Sequence, residues 1–223
     1  MFNFFYKINE DPIIILGNQK SGTTAIATLL AKRANLKATI DTSVLWEPNL
    51  TKLLNKQTTL KEVVVKNKKA FANKIIKEPN LTFFYQDLMS IFPNPTFIFI
   101  IRDPRSNIRS ILNRINVDGL LDEFDGINKV SFLWRHIFSD KFSDKSHYIE
   151  ILADRWNFCS NVFLNNKNNM ILLRYEDFLS DKLYYIDLIL DKLNILPVND
   201  ISSILDKQFQ PKGNREIQWK LFF

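Results

Sequence analysis

The segment from Pro12 to Ala34 combines residue types that bind anions. Ile13 to Leu16 form a short apolar run that predicts a buried strand. Gly17 ends the run, and a helical pattern begins at about Thr23, after a loop that contains Lys20, Ser21, Gly22, Thr23 and Thr24. A helix that starts there offers free backbone N–H groups, the positive end of its dipole and nearby hydroxyls. The segment therefore predicts a phosphate-binding loop.

The position of the lysine separates this loop from a Walker A motif. Gly17 and Gly22 have the Walker A spacing, but that motif needs a lysine directly after the second glycine. Here that position holds Thr23, and the loop lysine is Lys20. A P-loop nucleoside-phosphate kinase stays an alternative, although it would need Mg²⁺ and a lysine at position 23.

Further cations follow other apolar runs. Arg102 comes directly after Thr96 to Ile101, and Ser110 lies 110 − 102 = 8 residues later, so both side chains can reach one anion. Lys77 and Arg174 also end apolar segments. Because the carboxyl ends of parallel strands share one edge of a sheet, we expect Lys20, Lys77, Arg102 and Arg174 along that edge.

Three motifs resemble those of sulfotransferases that use 3′-phosphoadenosine 5′-phosphosulfate (PAPS): GNQKSGTT, IIRDPRSNIRS and RYED. The first resembles the 5′-phosphosulfate loop, so the resemblance assigns that end of PAPS to residues 20–24. The second implies that Arg102 and Ser110 hold the 3′-phosphate, and the third that Tyr175 borders the adenine. Lys212 faintly resembles a C-terminal phosphate contact, although Pro211 replaces the usual arginine.

The same resemblance implies the catalytic groups. Lys77 corresponds to the lysine beside the transferring sulfuryl group, and Pro79 stands where cytosolic members carry a catalytic histidine. Bacterial and carbohydrate-type members use a glutamate after the first helix, which Glu47 matches loosely. We expect Glu47 to act as the base, with Lys20 and Lys77 stabilising the leaving oxygen, and Glu78 is the competing candidate. A nucleotide-binding protein that has lost catalysis is a further alternative.

Composition limits the remaining possibilities. The 223 residues, 46% of them hydrophobic, suit one domain over residues 1–223. A formal charge of +6 suits an anionic ligand and does not indicate nucleic acid. The chain shows no signal peptide, no apolar run of membrane-spanning length and no metal-ligand spacing, and Cys159 is its single cysteine, so we expect a cytoplasmic location.

Apolar runs that alternate with helical patterns predict an α/β fold: a three-layer, open, mostly parallel sheet flanked by helices. We expect helices over Leu81–Ile91, capped by Asn80, and over residues 129–138. The acceptor is predicted to be a small molecule or glycan that enters between loops around Trp46, residues 116–128 and Trp134. The sequence specifies neither the acceptor nor the oligomeric state.

Overall fold

The computed structural model describes residues 6–209 and is built around a five-stranded parallel sheet. Its strands are β1 Ile13–Gly17, β2 Ala38–Ile40, β3 Ile75–Lys77, β4 Thr96–Ile101 and β5 Met170–Arg174. The strand order is β2-β3-β1-β4-β5, and every neighbouring pair is parallel. The apolar β1 and β4 lie in the interior of the sheet, where a strand is covered on both faces.

Helices cover both faces of the sheet, which confirms the predicted three layers. They are α1 Thr23–Arg33, α2 Asn49–Leu54, α3 Leu60–Lys66, α4 Tyr85–Ile91, α5 Pro104–Ile115, α6 Tyr148–Asn166, α7 Tyr175–Ser180 and α8 Lys182–Lys192. Ile13 and Ile15 of β1 join a core with α1 and α8, whereas Ile14 and Leu16 join one with α2, α3 and α4. Within residues 6–209, no helix combines the length and apolarity needed to cross a membrane.

A third apolar cluster lies beside the sheet and holds the segment that contains Trp134. Ile111 of α5 and Leu152 of α6 pack there against Ile137, from a 3-10 helix over Phe132–Phe138. Trp134 packs on the same cluster. The cluster therefore fixes this 3-10 helix relative to α5, which begins directly after β4.

Two local predictions were wrong. Asn80 does not cap a helix over Leu81–Ile91, because a 3-10 helix over Pro79–Phe84 precedes α4. The Glu78 carboxylate accepts a hydrogen bond from the Asn80 N–H (3.2 Å), and the Asn80 side chain donates to the Leu45 carbonyl (3.1 Å). Tertiary partners thus replace the predicted cap.

The segment predicted as one helix over residues 129–138 is also interrupted. Val130 and Ser131 adopt extended backbone angles between 3-10 helices at Gly126–Lys129 and Phe132–Phe138. The apolar residues of this segment pack on α5 and α6 without forming a continuous helical stripe.

The chain order places a crevice at the carboxyl ends of β1 and β4. The connection after β1 leads to β2 on one side of the sheet, and the connection after β4 leads to β5 on the other. Open α/β sheets bind ligands at such a reversal of strand order. The loop after β1 and Arg102 after β4 both lie at this crevice, as their contact described below shows.

We expect Gly17→Ala to lower the free energy of unfolding by roughly 2–3 kcal/mol. Gly17 has a φ of 139°, and an added Cβ would lie 2.4 Å from the Ile100 carbonyl oxygen on β4. Urea unfolding measures the loss. Gly126→Ala is the control, since its Cβ would meet the movable ring of Phe124 at 2.6 Å. Equal losses in the two variants would contradict this account.

Candidate functional site

Buried polar contacts hold the loop between β1 and α1. The Gly17 N–H donates to Thr82 Oγ1 (2.9 Å), and the Thr82 hydroxyl donates back to the Gly17 carbonyl (3.1 Å). On the other side, Asn107 Nδ2 donates to the Gln19 carbonyl (2.9 Å) and to Ser21 Oγ (3.0 Å). Thr82 and Asn107 are both completely buried. The loop conformation is therefore set by the protein before any ligand binds.

Tyr175 joins the predicted motifs physically. Gly22 has a φ of 91°, and a Cβ there would lie 2.3 Å from the Tyr175 ring, so only glycine allows this packing. The Arg102 guanidinium lies 4.7 Å from the centroid of the same ring. Arg102 Nη1 also donates to the Lys20 carbonyl (2.8 Å). Tyr175, at the start of α7, thus brings the loop and Arg102 into contact with each other and with itself.

Ser110 is half-buried in the second turn of α5, the helix that follows Arg102. Arg174 ends β5 at the predicted edge, but its side chain is 60% exposed and lies 3.8 Å from Asp177. Lys212 lies outside the described residues.

A cavity of 380 Å³ opens beside the loop. Its lining comes from the loop and α1, the end of β3 and the segments after β2 and β3, α5, and the 3-10 helix over Phe132–Phe138. The residues are Gln19, Lys20, Gly22, Thr23, Thr24, Asp41, Trp46, Lys77, Glu78, Pro79, Asn80, Arg114, Leu133, Trp134 and His136. Trp46 and Trp134 were predicted near the acceptor, whereas residues 116–128 do not line this cavity. Two lysines and two carboxylates therefore share one cavity with large aromatic side chains.

Lys77 is buried, with 2% of its side chain exposed, and it forms an ion pair with Asp41. Its Nζ also donates to Thr24 Oγ1 (2.8 Å). A buried ammonium group needs such partners, because burial without them costs several kcal/mol. Asp41 and Thr24 therefore fix the Lys77 side chain at the edge of the cavity.

Lys20 faces the same cavity and has a φ of 66°, in the left-handed region. Burial is the main cause that lowers the pKa of its ammonium group to about 8; the neighbouring cations Arg114 and Arg102 contribute to this shift, and Asp41 opposes it. At neutral pH the group still carries its proton, in surroundings that favour an anion.

Glu78, directly after β3, is buried, with 2% of the residue exposed. Its carboxylate accepts from the Asn80 N–H (3.2 Å) and from Trp46 Nε1 (3.1 Å). Burial raises the pKa of Glu78 to about 7, Lys77 acts in the opposite direction, and Asp41 raises it. A carboxylate with a pKa near neutrality is suited to accept a proton from a substrate.

Glu47 lies elsewhere. Its carboxylate accepts from the Thr51 N–H (3.3 Å) and from Thr51 Oγ1 (2.9 Å), in the first turn of α2. It does not line the cavity that Glu78 lines. The geometry therefore separates the two glutamates that the sequence left as competitors for the role of base.

Sequence reasoning missed several residues of the site. Gln19 donates through its side-chain amide to Asn80 Oδ1 and lies 3.3 Å from His136 Nε2. Burial and the charge of Arg155 lower the pKa of His136 to about 3, so the ring is neutral. Asp41 could have been found from the sequence, since it directly follows a strand, β2, at the sheet edge where Lys77 was expected. Gln19 and Asn107 lie inside two of the quoted motifs, but neither their side-chain contacts nor those of Asn80 follow from the sequence pattern.

Residues 47–200, more than half of the chain, match the model of the Sulfotransferase family. No curated protein sequence matches the chain. Among solved structures, a sulfotransferase domain from the curacin biosynthetic pathway aligns over 92% of this chain and 80% of its own, with a TM-score of 0.58 and 16% identity. The sulfotransferase from Alicyclobacillus acidocaldarius aligns over 92% and 88%, with a TM-score of 0.58 and 13% identity.

A mouse sulfotransferase solved in complex with 3′-phosphoadenosine 5′-phosphate (PAP) aligns over 87% of this chain and 62% of its own. Its TM-score is 0.52 and its identity 14%. At such identities the likeness to these structures shows the shared fold.

The raised pKa of Glu78 predicts a pH-dependent effect of Glu78→Gln on stability. Between its ordinary pKa of 4.5 and about 7, the folded protein keeps a proton that the unfolded chain has lost, so Glu78 makes the protein less stable as pH rises. The free energy of unfolding of Glu78→Gln, relative to wild type, should therefore increase by something on the order of 3 kcal/mol between about pH 5 and about pH 8.

Urea unfolding at the two pH values measures this change. Glu47→Gln, which also removes one carboxylate, corrects for the altered net charge. A difference between Glu78→Gln and wild type that does not vary with pH would show that the Glu78 carboxyl titrates normally.

Proposed function

This chain belongs to the sulfotransferase family, and on that basis we propose that it transfers a sulfuryl group from PAPS to a hydroxyl or amine of a small-molecule or carbohydrate acceptor. One observation carries the proposal: the loop lysine Lys20, the buried Lys77 and the buried Glu78 line the same cavity. Leaving-group stabilisation and proton removal, the two tasks of such a transfer, thus have candidate groups side by side.

The residues at the crevice fit the donor. The amides at the start of α1, the hydroxyls of residues 21, 23 and 24, and Lys20 suit the 5′-phosphosulfate group. Arg102 provides a planar fork and Ser110 a hydroxyl for the 3′-phosphate, and Tyr175, between Gly22 and Arg102, borders the adenine in this proposal. When bound, PAPS supplies an activated sulfuryl group and a phosphate leaving group.

We assign the base to Glu78 in place of Glu47. The Trp46 indole N–H and the Asn80 N–H orient the Glu78 carboxylate, which takes the proton of the acceptor hydroxyl. Lys20 and Lys77 stabilise the negative charge that grows on the leaving oxygen. Asp41 and Thr24 hold the Lys77 Nζ in place through an ion pair and a hydrogen bond.

The cavity walls indicate the shape of the acceptor. Trp46 and Trp134 provide flat aromatic surfaces, and Leu133 and Pro79 add apolar area beside the polar groups. A ring that carries both C–H faces and hydroxyls, such as a sugar, would match this combination. Single-ring sugars and phenols are therefore the first acceptors to test.

We expect PAP to bind at least about tenfold more tightly than AMP, and Arg102→Ala to remove that preference, since Arg102 is assigned to the 3′-phosphate. Calorimetric titration of both proteins with PAP, AMP and ATP with Mg²⁺ measures this. Arg105→Ala is the matched control, because it removes a 58% exposed arginine from α5, the helix that follows Arg102. Equal affinity for PAP and AMP, or a preference for ATP with Mg²⁺, would instead favour the kinase alternative.

We expect Glu78→Gln to lower kcat at least about a hundredfold with a sugar or phenol acceptor, because the proton acceptor is lost. PAP affinity should stay within about threefold of wild type. Transfer of radiolabelled sulfate from PAPS gives the rate, and Glu47→Gln should keep its turnover. The reverse pattern would return the role of base to Glu47, and PAP binding without turnover in the wild type would favour a protein that has lost catalysis.

A further inference from the structure

Arg155 in α6 is completely buried, next to the loop between β1 and α1. Its guanidinium carbon lies 4.6 Å from the ring centroids of both Phe83 and Phe142. Its Nη2 donates a hydrogen bond to Gln19 Oε1. Within residues 6–209, its buried Nε and Nη1 atoms have no hydrogen-bond partner.

The charge of Arg155 is not neutralised by a carboxylate in the described part of the chain. The ion pairs found there involve other cations: Lys7, Arg33, Lys74, Lys77, Arg105, Arg174 and Lys182. The two phenylalanine rings stabilise a cation through their faces but carry no net charge. Burial lowers the pKa of Arg155 to about 10, so the group remains charged at neutral pH. Buried cations are ordinarily paired, which makes this one unusual.

The neighbours of Arg155 connect it to the loop. Gln19, its hydrogen-bond acceptor, lies two residues before Ser21 in the loop and is itself buried. The Gln19 amide then reaches Asn80 and His136, which line the cavity. Because Arg155 and Gln19 are both buried and in direct contact, the charge of Arg155 acts on the loop with little screening.

We propose that Arg155 is a positioning cation for the loop: its charge strengthens binding of the ligand's 5′-phosphate group, and its hydrogen bond holds Gln19. Arg155 does not contact the ligand. An anion in the loop in turn compensates the buried charge, so part of the cost of burying Arg155 is recovered on binding. This inference rests on the proposed function, since it requires a nucleotide phosphate in the loop.

Two substitutions separate the charge from the hydrogen bond. Arg155→Lys keeps a positive charge, whereas Arg155→Gln removes the charge and retains an amide N–H group on a shorter side chain. Calorimetric titration with AMP and with PAP should show an affinity at least about tenfold lower in Arg155→Gln, for both ligands, and within about threefold of wild type in Arg155→Lys. The affinity lost in Arg155→Gln should be smaller at high ionic strength, where the loop charges are screened.

Urea unfolding without ligand measures the free energy of unfolding, which would fall in Arg155→Gln if Arg155 had a purely structural role. We expect Arg155→Gln to keep the wild-type free energy of unfolding or exceed it, because an unpaired buried charge is removed. Arg33→Gln is the matched control: it also removes one positive charge, but at the far end of α1, where Arg33 pairs with Asp187. Its AMP and PAP affinities should match those of wild type.

Wild-type affinity of Arg155→Gln, or equal losses of affinity in Arg155→Gln and Arg33→Gln, would overturn the inference. So would a loss of affinity in Arg155→Lys as large as that in Arg155→Gln, accompanied by a lower free energy of unfolding. Failure of the proposed function is visible separately, in the PAP-to-AMP ratio of the wild type. The effect of Arg155 concerns the 5′-phosphate, which AMP and PAP share.

Discussion

The close approach of β1 to β4 at Gly17 is the constraint on which the site depends. A Cβ at Gly17 would collide with the Ile100 carbonyl oxygen, and Thr82 bonds both backbone groups of Gly17. These contacts set where β1 ends, and therefore where the loop turns toward the cavity. Arg102, two residues after Ile100, reaches the Lys20 carbonyl because the two strand ends lie side by side. The contacts of Tyr175 with Gly22 and Arg102 follow from the same placement.

The sequence predicted the elements that depend on local pattern. Apolar runs predicted the strands β1 and β4, and the helical pattern from about Thr23 predicted the start of α1. The family, expected from three short motifs, and the three-layer fold, expected from apolar runs that alternate with helical patterns, are confirmed. The roles of the motif residues in ligand binding, the single domain and the cytoplasmic location stay predictions. The predicted cap at Asn80 failed because its side chain is recruited by Leu45 and Gln19, partners that are distant in the sequence.

The two candidate bases show the limit of reasoning from position along the chain. Glu47 was favoured because it follows the first helix, yet its carboxylate is satisfied locally by Thr51. Burial raises the pKa of Glu78, and the Trp46 indole N–H orients its carboxylate. A single sequence displays neither the burial nor this contact. Arg155 illustrates the same limit, since an arginine within a surface helix is normally predicted to be exposed, whereas Arg155 is completely buried. Burial and pairing are properties of the assembled core, and chemical roles follow from them.

The hydrogen bond between Trp46 and Glu78 gives the protein an internal optical reporter. The indole N–H donates directly to the carboxylate that changes its ionisation near neutral pH. The emission of an indole responds to the electric field along its ring, so a proton gained or lost at Glu78 alters the light that Trp46 emits. The chain has four tryptophans, and replacing the other three by phenylalanine would isolate this signal. The ionisation of Glu78 in the cavity wall could then be followed in real time, without a label or a coloured substrate.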